Sequence, residues 1–195
     1  MDRSDLLELH YIVPLSNISS ICELGILSHE KAARLEHESV AMDVIQQRRE
    51  AKQIPNGLRL HQYVNLYINA RNMMMYKRRG DHLKLAVIRV SPAVLDLPDV
   101  VIADRNAACD YVRFQASPGG LSHIDRSAVY ARSWNHADPI EKISHGQIMC
   151  AEVLVPYKVD VAYLEGVYVS CAEAQGKYMA LSLPLVSVVN ENVFF

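Results

Sequence analysis

The sequence predicts one α+β domain. Three observations point to it: the first third reads as short helical segments around one strand, six later segments have the β-branched and aromatic content of strands, and no repeat, low-complexity stretch or linker divides the 195 residues. Hydrophobic residues make up 50% and charged residues 22% of the chain, so it can bury an ordinary core without disulfide or metal staples.

In chain order, LELHYIV (7–13) is a first strand closed by Pro14. Asn17 or Ser16 can cap a short helix, ISSICELG, with Gly25 as its stop. Ser28 opens a second helical segment. VAMDVIQQRREAKQI (40–54) carries Val40, Val44 and Ile45 among charges, an amphipathic helix ended by Pro55-Asn56-Gly57. The strands that follow are YVNLYIN (63–69), KLAVIRV (84–90), VVIAD (100–104), QIMCAEVLVP (147–156), VAYLEGVYVS (161–170) and LVSVVN (185–190). Residues 115–146, with SPGG, SWNH and DPIEK, form a connection long enough to be functional or to carry short helices of its own.

Several chemistries are disfavoured. Cys22, Cys109, Cys150 and Cys171 are scattered without a CxxC pair, and the eight histidines include no HExxH, so no metal is expected and the thiols should be reduced. GxSxG, GxxxxGK[ST] and GxGxxG are all missing, which removes the usual hydrolase elbow and phosphate cradles. Cys150 lies near Glu152, but no motif puts a base beside it to make it a nucleophile. A net charge of −2 argues against coating nucleic acid by bulk charge, though KRRGDHLK (77–84) or the pair Arg48 and Arg49 could form a local basic groove or solvated faces. No run approaches the roughly 20 apolar residues of a membrane helix, and the start MDRSDLLELH is acidic where a signal peptide is basic; a soluble, cytoplasmic protein without a membrane partner is expected.

Three polar residues break the pattern of core strands. Glu152 sits within a strand-like run, in register with Ile148, Cys150 and Leu154 on one face, and burying its charge is costly unless something pairs with it or uses it. His10, beside Tyr11, lies in the first strand; it is either a satisfied core histidine or a ligand for a ribose hydroxyl. Arg71 stands at a strand end, either exposed beside an Asn72 helix cap or placed to fork onto phosphate. Three such exceptions together suggest a site.

The order of LHYIVPLSNISSICELGILS (9–28), LHQYVNLYINARNMMMY (60–76), DRNAA (104–108) and CAEVLVP (150–156) resembles the DarT family of DNA ADP-ribosyltransferase toxins, related in fold to the poly-ADP-ribose polymerases. The resemblance implies an α+β ADP-ribosyltransferase fold: a split central antiparallel β-sheet flanked by helices, spanning residues 1–195 as one domain. It implies NAD as co-substrate, with Glu152 as catalytic base and 2′-hydroxyl ligand, and Arg71 on the NAD phosphate and ribose. His10 and Tyr11 would contact NAD, and Asn17, Gly25 and Leu27 would line its pocket.

The expected acceptor is a base of single-stranded DNA, since an atom inside a stacked duplex is out of reach. The forms of NLYINARNMMMY and CAEVLVP resemble the guanine-modifying branch; thymine is the alternative. The 115–146 stretch matches the place of a substrate-recognition loop, where Arg132, Trp134, His136 and His145 are candidate base and phosphate contacts, Trp134 being otherwise a loop anchor. Met74, Tyr76, Lys77 and Arg78 are further candidates for nucleic-acid contact. The family also implies a macrodomain antitoxin as partner. An RNA- or protein-modifying enzyme of the same chemistry, or a non-catalytic nucleic-acid-binding relative, are the competing readings.

Overall fold

The computed structural model describes residues 1–38 and 43–195, with the side chains of 43–45 left out. Strand β1 (Leu9–Pro14) incorporates the proline as its last residue, and Leu7 stays outside it, exposed. Helix α1 (Ile18–Leu24) follows and ends at Gly25, whose φ of +77° is the left-handed conformation that glycine adopts without a Cβ penalty. Next come β2 (Ile26–Leu27) and α2 (His29–Ala32), the latter opening after Ser28 as expected. Of the amphipathic helix expected over 40–54, the structure describes α3 (Asp43–Glu50); Val40 and the side chains of Val44 and Ile45 lie outside the described residues.

Beyond the turn at 55–57, β3 (Tyr63–Tyr67) leads to α4 (Met73–Lys77). Asn72 caps that helix, its side chain accepting from the N–H groups of Met74 and Met75. Strands β4 (Leu85–Val90) and β5 (Val101–Ala103) come next. The long stretch after them does carry its own elements: β6 (Phe114–Ala116), α5 (Arg126–Val129) and α6 (Pro139–Ile148). The chain closes with β7 (Glu152–Pro156), β8 (Lys158–Val159), β9 (Leu164–Val169), α7 (Ala172–Met179) and β10 (Ser187–Val189).

The strand expected over 147–156 needs correcting at its start. Asp138 accepts from the Ile140 N–H and Pro139 occupies the first helical position, so α6 starts cleanly and runs through Gln147 and Ile148. A turn follows, with Cys150 N–H bonded to Gln147 O and Ala151 N–H to Ile148 O. Glu152 is therefore the first residue of its strand, not its middle, and of the three residues expected on its face only Leu154 shares the strand.

Among the described residues, eight strands form one sheet in the order β10-β9-β4-β1-β3-β7-β5-β6, antiparallel apart from the parallel β10–β9 pair. β1 pairs with β4 over six residues but meets β3 at a single register pair, His10 with Tyr67. The sheet is thus split between β1 and β3, as the resemblance implied. One face packs Leu9, Val13, Leu66, Val153 and Val155 against Ile18 and Ile21 of α1 and Tyr178 of α7. The other face packs Ile12, Tyr67 and Val87 against Met75 of α4. No helix among the described residues is long and apolar enough to cross a membrane, and all four cysteines are free thiols.

Candidate active site

The register places His10, Tyr67, Glu152 and Ala103 in one row across β1, β3, β7 and β5. Paired residues in neighbouring strands project on the same face, so the row sets Tyr67 between His10 and Glu152. Glu152 has no exposed surface. Arg49, in the last turn of α3, reaches it with Nη1 at 3.1 Å from Oε2 and 3.4 Å from Oε1, and the Ala107 N–H donates to Oε1 at 3.2 Å. Arg49 is itself 7% exposed, and its Nη2 is buried with no hydrogen-bond partner among the described residues.

A buried ion pair is weak support for stability, because desolvating both charges offsets most of their attraction. This pair, with one guanidinium nitrogen unmatched, is therefore better explained by use than by packing. Its charge is felt nearby. Burial and then the Glu152 carboxylate hold the Tyr67 hydroxyl well above its ordinary range, so it stays protonated. Burial and Glu152 push the Cys150 thiol up to about 12, which makes Cys150 a poor nucleophile and removes the cysteine alternative.

A cavity of about 280 Å³ opens where the sheet splits, lined by Tyr11 to Pro14 of β1 and by Asn65 and Tyr67 of β3. Arg48, Arg49 and Lys77 give it a cationic side, with the His29 and His37 rings in the same wall. The rings of His29 and His61 lie 4.3 Å apart; burial and then the charges of neighbouring histidines and Arg49 keep both less basic than a free histidine. Met73 and Met74 form an apolar wall, and the polar side chains of Asn106 and Gln147 line the same cavity. The orphaned Arg49 nitrogen and this set of cations suit a ligand carrying a pyrophosphate and ribose hydroxyls. Among the described residues no group of three His, Cys, Asp or Glu side chains could hold a metal ion.

The expected site residues divide. Tyr11, Asn17, Leu27, Met74 and Lys77 line the cavity. The Asn17 side chain gives its helix no cap bond; it donates to Glu38 O at 2.6 Å and accepts from Glu38 N–H at 3.1 Å, holding Glu38 beside the cavity. Gly25 lies behind it, where an added Cβ would come within 2.3 Å of Val159 O. His10 is in the row with Tyr67 and Glu152 but turns to Glu8, with Nε2 at 3.1 Å, and it does not line the cavity.

Arg71 is not brought to the cavity either: its guanidinium donates to Phe194 O and lies 3.9 Å from the centre of the Phe195 ring. Trp134 meets Tyr76 and Phe195 edge-on at 5.3 and 5.9 Å, an anchor for the loop that carries it. Arg132 is exposed and near enough to Arg71 to lower its basicity further, after burial. His136 and His145 bond each other at 2.7 Å, and Arg78 pairs with Asp81 at 3.6 Å; none of these lines the cavity.

Arg49 is the residue that sequence reasoning passed over. It was visible only as half of a basic pair on a helix, and its partner lies 103 positions away. Asn106 and Gln147 were likewise unmarked, although DRNAA contains the first and the second lies in the last turn of α6.

The family model described as DarT, ssDNA thymidine ADP-ribosyltransferase, matches residues 10–195. A DNA ADP-ribosyl transferase–DNA ADP-ribosyl glycohydrolase fusion protein of Thermosipho africanus is 30% identical over 96% of this chain, which spans only 49% of that longer protein. A DNA ADP-ribosyl transferase of a Thermus species is 28% identical over 68% of each chain. Among solved structures, Thermosipho africanus DarTG in complex with ADP-ribose superposes with a TM-score of 0.81 at 28% identity, covering 97% of this chain and 51% of that one. Thermus sp. 2.9 DarT in complex with ADP-ribosylated ssDNA gives 0.84 at 21% identity, covering 98% and 97%. With a match that runs from residue 10 to residue 195, this chain belongs to the DarT family.

Proposed function

We propose that this chain is a toxin that transfers ADP-ribose from NAD to guanine in single-stranded DNA. The observation that carries the reading is the buried Glu152–Arg49 pair beside a cation-lined cavity at the split of the sheet. In this reading the NAD pyrophosphate lies along Arg48, His29 and Lys77, and the spare Arg49 nitrogen takes an oxygen of the bound substrates. The anchoring role first expected of Arg71 passes to Arg49.

Glu152 accepts a hydrogen bond from the 2′-hydroxyl of the nicotinamide ribose. Its charge stabilises the oxocarbenium-like state formed as the bond from C1′ to nicotinamide breaks, nicotinamide leaving with the electron pair. The guanine exocyclic nitrogen then bonds to C1′, and its proton passes to the Glu152 carboxylate. A carboxylate fixed by one guanidinium and one backbone N–H at the start of a central strand has the rigidity such a role needs.

Guanine rests on the likeness of NLYINARNMMMY and CAEVLVP to the guanine-modifying branch. Thymine is the second reading, favoured by the description of the matching family model. The Thermosipho relative joins a transferase to a glycohydrolase in one chain, which supports a partner that removes the modification, here a macrodomain antitoxin. Incubation with labelled NAD and single strands lacking either guanine or thymine tests the acceptor. Label should enter every guanine-containing strand; entry only where thymine is present would transfer the reading to thymine.

A further inference from the structure

We infer that Asn106 and Gln147 read the acceptor base, donating through their side-chain NH2 groups to the carbonyl oxygen on its Watson–Crick edge; the inference rests on the guanine transfer proposed above. Both line the cavity and are partly exposed to it. Asn106 Oδ1 accepts the Ala108 N–H at 2.9 Å. A backbone N–H can only donate, so the oxygen of this amide is fixed and its NH2 group points away from that turn. The Cys109 thiol donates to Gln147 Oε1 at 2.9 Å, an arrangement that leaves the Gln147 NH2 group available to a ligand.

The two residues are tied together and to the reacting group. Asn106 N–H donates to Gln147 O at 2.9 Å, and the next residue, Ala107, donates its N–H to Glu152. Among the described residues no protein acceptor holds either NH2 group. The cavity thus presents two neutral donors, tied through Ala107 to the Glu152 carboxylate, which is buried behind the lining. The guanine edge has the complementary order, with O6 as acceptor next to N–H groups that the carboxylate can receive. Adenine puts an amine where O6 stands, setting donor against donor, and a site built to bond a polar group rejects analogues that leave it unpaired.

The test compares single strands carrying one guanine with the same strands carrying 2-aminopurine, which keeps the exocyclic amine and lacks O6. Wild-type protein should label guanine at least tenfold faster than 2-aminopurine. In Asn106→Asp, which keeps the Oδ1 bond to Ala108 and removes the donor, and in Gln147→Glu, that ratio should fall towards one. Equal labelling of the two bases by wild-type protein overturns the inference whether or not the variants fold, and so does a ratio unchanged in both variants. Absence of label from the guanine strand itself is a different result, because it overturns the proposed guanine transfer.

Discussion

Glu152 and Arg49 form a unit in which each side chain makes the other's burial tolerable. Removing one leaves an uncompensated buried charge, so Arg49→Ala should cost about 3–5 kcal/mol of stability together with transfer activity. Arg49→Lys keeps the charge but not the planar fork, and should retain most of the fold while losing transfer by at least about tenfold. Thermal melts beside labelled-NAD assays separate the two effects. Arg71→Ala should weaken NAD binding far less than Arg49→Lys, because its guanidinium is taken up by Phe194 and Phe195; the opposite ranking in a titration with NAD would return the anchoring role to Arg71. At this scale the sequence was half legible. A carboxylate among strand-formers stood out at Glu152, whereas an arginine on a polar helix looks like any solvated face until its partner is known.

The elements explain which boundaries could be read. Asn72, Gly25 and the turn at 55–57 are local chemistry, written in adjacent residues, and all fall where expected. The strand β7 was misjudged at its start because the run from Gln147 to Ala151 is apolar for a different reason: it closes α6 and turns beneath the cavity wall. Short apolar runs do not distinguish a buried helix end from a strand. Gly25 offers an element-scale test. A Cβ there would collide with the Val159 carbonyl and would also have to adopt a positive φ, so Gly25→Ala should destabilise the fold by about 1–3 kcal/mol. A melting temperature unchanged by that substitution would show that α1 and β8 do not need this close approach.

Across the molecule, the single register pair between β1 and β3 among the described residues gives the sheet two halves, and the cavity lies where they part. The half made by β1, β4 and β9 is tied by Glu8, which bonds Arg89 at 2.6 Å and His10 at 3.1 Å. Burial alone would raise the Glu8 carboxyl, but its bonds to His10, Arg89 and Tyr168 outweigh it and hold the group down at about 2 against an ordinary 4.5. Because the folded state releases this proton more readily than the unfolded one, Glu8 stabilises the fold fully above about pH 4.5 and the contribution fades as pH falls towards about 2. Melting curves of wild type and Glu8→Gln should therefore differ at neutral pH and converge over that acid window; a constant gap would contradict the assignment. The sheet's split could not be read from strand composition, which does not encode which strands pair; only the likeness of motifs pointed to it.

The central claim is that this pocket moves ADP-ribose from NAD onto a DNA base through Glu152. Its most direct measurement is base-resolved mass spectrometry of a guanine-containing single strand after incubation with NAD, for wild type and for Glu152→Gln, each checked for folding by its melt. The wild type should add one ADP-ribose to guanine, with duplex much less modified, and Glu152→Gln should lower the product by at least about a thousandfold. Modification that persists in a folded Glu152→Gln protein, or transfer to protein and never to DNA, would contradict it.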